Sequence, residues 1–365
     1  MSLSAERVTD ILKTVIDPNT GKDFVSARAV RNLVVEGGRV RFCIELGYPA
    51  RREAAAIRRL LDDALRAALP ELGGVEIDVE TKIVPHAVQH GVKLLPGVKN
   101  IIAVASGKGG VGKSTTAANL ALALVAEGAE VGLLDADIYG PSVPQMLGLN
   151  GQRPTSLDGK LMEPLEAYGL QANSIGLLVE DTDTPMIWRG PMATQALLQL
   201  LRETHWKDLD YLVIDLPPGT GDIQLTLAQN VPVTGVVIVT TPQDLALIDA
   251  RKGLKMFEKV NVSILGVVEN MSTHICSRCG HEEHIFGAGG GQKLCADYGI
   301  PFLGALPLDL SIREETDSGT PTVAAAPDSR LAANYRSIAR KVAVAVADKA
   351  RDMTHKFPQI VVQNG

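Results

Sequence analysis

The residues best suited to chemistry in this chain lie in three short stretches. In the first, Gly107-Lys108-Gly109-Gly110-Val111-Gly112-Lys113-Ser114-Thr115, the residues Gly107, Gly112, Lys113 and Ser114 fill the pattern G-x-x-x-x-G-K-[ST]. That pattern cradles phosphate. Glycines let backbone N–H groups converge on phosphate oxygens, the following helix N-terminus adds its positive end, Lys113 reaches the β- and γ-phosphates and Ser114 ligates Mg²⁺. The second is a pair of acidic strand ends, Asp135-Ala-Asp137 and Tyr211-Leu-Val-Ile-Asp215 followed by Leu-Pro-Pro-Gly219-Thr-Gly221. An apolar strand ending in Asp215 reads as the carboxylate that holds Mg²⁺, and the glycines after it suit a loop that responds to a γ-phosphate. Asp135 and Asp137 are expected beside the phosphates, with capping of the next segment as the competing role for either. The third is Cys276-Ser-Arg-Cys279-Gly-His281-Glu-Glu-His284. Two thiolates at this spacing grip a metal centre without completing it, because zinc and iron–sulfur sites take about four protein ligands. Three readings stay open: a zinc knuckle with His281 and His284, a redox pair, and a metal cluster shared across a symmetric dimer.

These residues need a scaffold that brings strand ends together. Ile101–Ala105 is an apolar strand running into the glycine loop, Asn119–Glu127 reads as an amphipathic helical segment, and further buried strands are predicted before Asp135, before Asp215, over 233–242 and over 264–270. Strands alternating with helices predict an α/β fold: a doubly wound, mostly parallel sheet forming a P-loop NTPase domain, with a small N-terminal α+β domain. The latter covers 1–80 and reads α-β-β-α-β, with Gly37-Gly38 as the hairpin turn and Cys43 as a buried strand residue. A linker over 81–99 carries Pro85, Pro96, His86 and His90, and residues 100–365 form the ATPase domain with the cysteine loop. Short strands are expected near Leu157 and Leu170. Trp188-Arg189-Gly190-Pro191 precedes a helix over 192–204, with Arg189 either a surface charge or a group for the nucleotide or an interface.

Bulk properties narrow the classes. A formal charge of −6 without a basic stripe speaks against nucleic acid as a partner. No apolar run approaches the roughly 18 residues that span a bilayer, and the first residues lack a signal-peptide core, so a cytoplasmic protein without a membrane partner is expected. The 4 cysteines are too unevenly placed for a disulfide framework, and Cys295 falls in a helical pattern as a core residue.

Taken together, these stretches, with Trp188-Arg-Gly-Pro-Met and Val268-Glu-Asn270-Met, resemble the Mrp-type, ApbC-like iron–sulfur cluster carrier ATPases of the deviant Walker-A (MinD/ParA-like) group. The resemblance covers nearly the whole chain, without departure at the motif positions. It implies slow Mg²⁺-dependent ATPase activity, with Lys108 acting across a homodimer on the partner's nucleotide, Asp137 positioning the attacking water, Asp135 and Asp215 supporting Mg²⁺ and Asn270 contacting adenine. It also implies that Cys276 and Cys279 bind half of a bridging [4Fe–4S] cluster, received from cluster donors and passed to apo iron–sulfur client proteins. The rival from another class is a positioning switch of the MinD/ParA kind. It shares the P-loop and Lys108 but has no need of the cysteine pair. A nitrogenase-reductase-like electron donor shares dimer and cluster, yet takes its two ligands from well-separated segments.

Overall fold

The computed structural model describes residues 3–86, 94–156, 159–179 and 190–354. Trp188, Arg189, His90 and Leu157 lie outside these. The chain divides into two compact units, Met1–Val84 and Pro85–Gly365.

In the first unit, helices α1 (Ala5–Leu12) and α2 (Ala54–Ala68) accompany strands β1 (Val30–Glu36), β2 (Arg39–Leu46) and β3 (Gly74–Thr81), in the order β1-β2-β3. The helices pack through stripes at helical spacing: Val8 and Leu12 from α1, and Ile57, Leu61 and Leu65 from α2, are all buried. β1 and β2 pair antiparallel around Gly37 and Gly38, whose φ values of 55° and 78° are the left-handed angles a tight hairpin needs. β3 returns parallel to β2 after the α2 crossover. The alternation along β2 puts Val40, Phe42, Ile44 and Leu46 in the core. Cys43, expected to be buried, is therefore half-buried on the opposite face.

The second unit is built on strands β4 (Val98–Ala105), β5 (Val131–Asp135), β6 (Leu165–Ala167), β7 (Leu170–Ser174), β8 (Leu209–Asp215), β9 (Gly235–Thr240), β10 (Ile264–Glu269) and β13 (Phe302–Ala305). They form an eight-stranded sheet in the order β13-β10-β9-β4-β8-β5-β7-β6, parallel except for the β6 edge. β11 (His274–Ile275) and β12 (Glu282–Glu283) make a separate small hairpin. The helices are α3 (Lys113–Ala126), α4 (Val143–Met146), α5 (Gly190–Arg202), α6 (Asp222–Asn230), α7 (Asp244–Lys259), α8 (Gly290–Tyr298), α9 (Leu310–Asp317), α10 (Thr322–Ala325) and α11 (Arg330–Thr354). The central strands β4, β5, β8 and β9 are buried almost throughout, as parallel strands covered on both faces must be.

Helix α3 departs from its expected amphipathic character. Residues Thr116 through Leu124 are all buried, because α10 and α11 cover the face that the sheet leaves open. Buried polar ties hold that cover: Asn119 Oδ1 accepts the Val323 N–H at 3.0 Å, and Arg340 reaches the buried Glu127 carboxylate at 2.5 Å. The chain leaves β4 toward β5 on one side and later places β9 on the other. The carboxyl end of β4 is thus a topological switch point, where open α/β sheets bind their ligands.

Candidate functional site

The glycine loop leaves β4 at this switch point. Gly110 and Gly112 have φ of 81° and 78°, and a Cβ on Gly112 would stand 2.2 Å from Asn270 Nδ2, so the turn and the close approach both require glycine there. Gly107 is pressed against the α7 backbone, 2.3 Å from a built Cβ to the Asp249 carbonyl carbon. Gly109 and Gly110 are exposed, Lys108 is half-buried, Val111 is buried, and Ser114 and Thr115 stand half-buried at the start of α3.

Lys113, only 6% exposed, places Nζ 2.5 Å from Asp215 Oδ1 and 3.1 Å from Ser114 Oγ. Asp215 is wholly buried; burial raises its pKa and Lys113 opposes the shift. Its second oxygen, Oδ2, is buried with no hydrogen-bond partner. An orphaned carboxylate oxygen beside a serine hydroxyl is a donor set that fits a hard divalent cation.

Asp135 lies directly opposite Asp215 in the β5–β8 register. Its carboxylate is taken up by the following loop. Oδ1 accepts the Asp137 N–H at 3.1 Å, while Oδ2 accepts Ser142 N–H at 3.0 Å, Val143 N–H at 3.1 Å and the Ser174 hydroxyl at 3.0 Å. Burial and the neighbouring Asp215 charge push its pKa up to about 7. Asp135 thereby anchors the loop that carries Asp137. The Asp137 carboxyl is half-buried and feels Lys113 and Asp215; burial raises its pKa and Lys113 opposes this.

Beside the loop opens a cavity of about 290 Å³, walled by Gly112 and Thr115, by Asn270 and Met271, and by Pro307, Leu308 and Asp309 before α9. Asn270 follows β10 and donates from Nδ2 to the Val111 carbonyl at 2.9 Å, holding the phosphate loop from behind.

The cysteine pair sits on the β11–β12 hairpin. Cys276 N–H donates to the His281 carbonyl at 2.9 Å and Gly280 N–H to the Cys276 carbonyl at 2.8 Å, closing a tight turn. Cys276 is half-buried and Cys279 exposed. Backbone N–H groups of Arg278 and Cys279 hold the Cys276 thiol below its ordinary pKa. His284 donates Nδ1–H to the Ser272 carbonyl at 2.9 Å, and His281 lies 3.7 Å from Glu283. Among the described residues no group of three or more His, Cys, Asp or Glu is placed to hold a metal ion.

Residues 97–343 match the family model of the NUBPL iron-transfer P-loop NTPases. The chain belongs to this family. Residues 5–79 match a second model, of iron–sulfur cluster assembly proteins. The chain is 67% identical over 247 residues to the iron–sulfur cluster carrier protein of Escherichia coli K12, covering 68% of this chain and 67% of that one. It is 49% identical over 345 residues to the carrier protein of Haemophilus influenzae, covering 92% and 90%. Among solved structures, a nucleotide-binding protein from Archaeoglobus fulgidus in complex with ADP superposes with a TM-score of 0.55 at 38% identity, covering 61% of this chain and 87% of that one.

In this NUBPL-type NTPase the structure gathers Lys113, Ser114, Asp135, Asp137 and Asp215 at one sheet edge, with Asn270 against the loop and the cysteines a few residues beyond. Sequence reading passed over Ser174, which supports Asp135 from the next strand, and Glu269, whose Oε2 caps α8 at Gly291 N–H, 2.5 Å away. The Asp135–Ser174 partnership has no local signal, since it joins residues far apart in the chain. A Gly-rich helix start after an acidic strand end was the available hint for Glu269.

Proposed function

We propose that the protein is an ATP-binding and ATP-hydrolysing carrier of iron–sulfur clusters, working as a cytoplasmic homodimer. Its cargo is a [4Fe–4S] cluster held on the two-fold axis by Cys276 and Cys279 of each protomer and passed to apo-protein clients. The observation that carries the reading is the siting of a phosphate loop and a thiol pair on one sheet edge: Asn270 supports the loop, and Cys276 follows six residues later. The family match and the carrier relatives support it.

In this reading the triphosphate lies along the N–H groups of residues 107–115 and competes with Asp215 for Lys113. Mg²⁺, held by Ser114 and Asp215, supplies neutralisation of the phosphate charge. Asp137, fixed through its own N–H by Asp135, orients the attacking water, and Lys108 reaches the nucleotide of the partner. The nucleoside enters the cavity beside Asn270. Among the described residues no three His, Cys, Asp or Glu side chains are placed to hold a metal ion, which favours a shared cluster over a knuckle built from one chain's histidines. A two-fold interface presents the same patch twice, and two thiolates from each of two chains make the four a cluster takes.

Anaerobic reconstitution with iron and sulfide tests this. The expected product binds about four irons per two chains and absorbs broadly near about 400 nm. Replacing Cys276 and Cys279 by Ser abolishes it while MgATP still binds, and replacing Cys43 and Cys295 does not. One zinc per chain that depends on His281 and His284, with no iron retained, overturns the reading.

A further inference from the structure

The stretch Glu269–His274 touches the phosphate loop, lines the nucleoside cavity and leads into the cysteine hairpin. Asn270 donates to the Val111 carbonyl of the loop at 2.9 Å. Met271, the next cavity wall, is held at φ 54°, an angle uncommon outside glycine, and turns the chain sharply there. Beyond the kink the stretch is laddered to Leu306–Leu308. Ser272 N–H and Oγ both donate to the Leu306 carbonyl, at 3.0 and 3.1 Å, and Leu308 N–H donates to the Thr273 carbonyl at 2.7 Å. His274 completes the ladder by donating Nδ1–H to the Leu308 carbonyl at 3.0 Å. Leu308 therefore faces two ways: the residue walls the cavity, and its backbone grips the root of the hairpin two residues before Cys276.

We propose that His274 is a positioning residue that couples the nucleoside cavity to the cysteine pair, transmitting through Leu308 any displacement a bound nucleotide imposes on the cavity wall. This rests on the nucleotide and cluster assignments made above. The ladder is short and continuous, and two of the cavity's walls join it, Asn270–Met271 by leading directly into Ser272 and Pro307–Asp309 through Leu308, so a ligand that presses on either loads the hairpin root. Coupling of this kind is reciprocal: nucleotide alters cluster retention by the factor by which cluster alters nucleotide affinity. The side chain at 274 sets the size of that factor. It touches neither the phosphate loop residues nor the cavity itself, so nucleotide affinity of the cluster-free protein does not depend on it.

The test is a pair of titrations of the full chain with a non-hydrolysable ATP analogue and Mg²⁺, before and after anaerobic reconstitution with iron and sulfide. The expected ratio of the two dissociation constants for the natural sequence departs from one by about fivefold or more, the lower end of ordinary site-to-site coupling. His274→Ala brings the ratio to within about twofold of one while cluster-free affinity and iron content persist. His274→Asn restores it, because its amide N–H stands where the imidazole Nδ1–H stood. A merely structural histidine would lower stability or iron content without changing the ratio. An unchanged ratio in His274→Ala overturns the assignment to this residue, and a ratio of one in the natural sequence overturns the coupling while leaving the carrier reading intact. Failure of the natural sequence to bind nucleotide or cluster at all overturns both.

Discussion

Lys113 and Asp137 stand at one sheet edge, where Asp137 feels the Lys113 charge, and their surroundings assign them different kinetic consequences. Lys113 is buried against Asp215, so Lys113→Ala strands a carboxylate in the interior and, on the proposed reading, removes a phosphate ligand. The expected result is loss of measurable ATP binding together with a lower melting temperature, because breaking a buried pair costs about 3–5 kcal/mol unless the remaining acid takes up a proton. Asp137→Ala leaves the loop anchored by the Asp137 N–H, which the substitution keeps. It should bind nucleotide within about threefold of the natural protein and turn over at least about 100-fold more slowly, since orienting the attacking water matters in the transition state. Isothermal titration and phosphate release separate the two, and equal loss of affinity would remove Asp137 from the catalytic set. The thiols allow a second prediction at this scale. Backbone N–H groups lower the Cys276 pKa, so its thiolate fraction at neutral pH is raised, whereas burial pushes Cys295 up to about 11 and raises Cys43. Alkylation at pH 7.5 (a chosen condition of about neutral pH) followed by mass spectrometry should label Cys276 first and Cys295 last. Labelling of Cys295 should grow with each step in pH toward about 11, because an acid with a raised pKa gives up its proton only there.

At the scale of elements, the loop from β5 to α4 is fixed by a carboxylate that belongs to one strand and a hydroxyl that belongs to another. Ser174 donates to Asp135 and, through the same oxygen, accepts the Gly176 N–H at 3.1 Å, tying β7 to the loop. Asn173 continues the tie by donating to Thr204 Oγ1 at 2.8 Å after α5. Ser174→Ala removes one of four donors to Asp135 and leaves the Gly176 N–H without that acceptor. The expected cost is about 1–3 kcal/mol of stability, with a larger effect on turnover than on nucleotide affinity, because the loop's hold on Asp137 loosens while the phosphate loop is untouched. Ser174→Thr keeps the hydroxyl and should recover turnover if the β-methyl is accommodated. Chemical denaturation and steady-state kinetics on the two variants decide it; equal turnover in Ser174→Ala and the natural protein would mean that the three N–H donors suffice.

For the whole molecule, the proposal of a working pair of chains makes a prediction that no single-chain property can meet. If Lys108 acts on the partner's nucleotide and Lys113 on its own, Lys108→Ala and Lys113→Ala are each inactive as homodimers. Mixed and allowed to exchange, they form hybrids with one complete site, and ATPase activity of the hybrid fraction should return toward about half that of the natural dimer. Absence of any recovery after subunit exchange has been demonstrated by mass or fluorescence would place Lys108 within its own chain. The unit Met1–Val84 has its own core around Phe24, Phe42, Ile44 and Leu61, and the larger unit encloses the sheet core separately. Among the described residues no helix is long and apolar enough to cross a membrane.

Much of this was legible in the chain itself, for a common reason. The phosphate loop, the strands ending in Asp135 and Asp215, and the cysteine pair are contiguous signals, in which the residue types needed for the chemistry or the element lie within a few positions of one another. The doubly wound fold followed from strands alternating with helices, and the family from motifs that survive as unbroken words. What only the tertiary structure decided involves partners brought together across the sheet. Asp135 is a loop anchor because β7, distant in sequence, places Ser174 beside it. Helix α3 is buried all round because α10 and α11 return to cover it, which its own periodicity does not encode. The second face of Leu308, toward His274, exists because the strand ends of β10 and β13 are parallel neighbours whose hydrogen bonding continues past the sheet. A sequence specifies what each residue offers; which offers meet is set by the packing of distant segments, where burial forces every polar atom to find a partner.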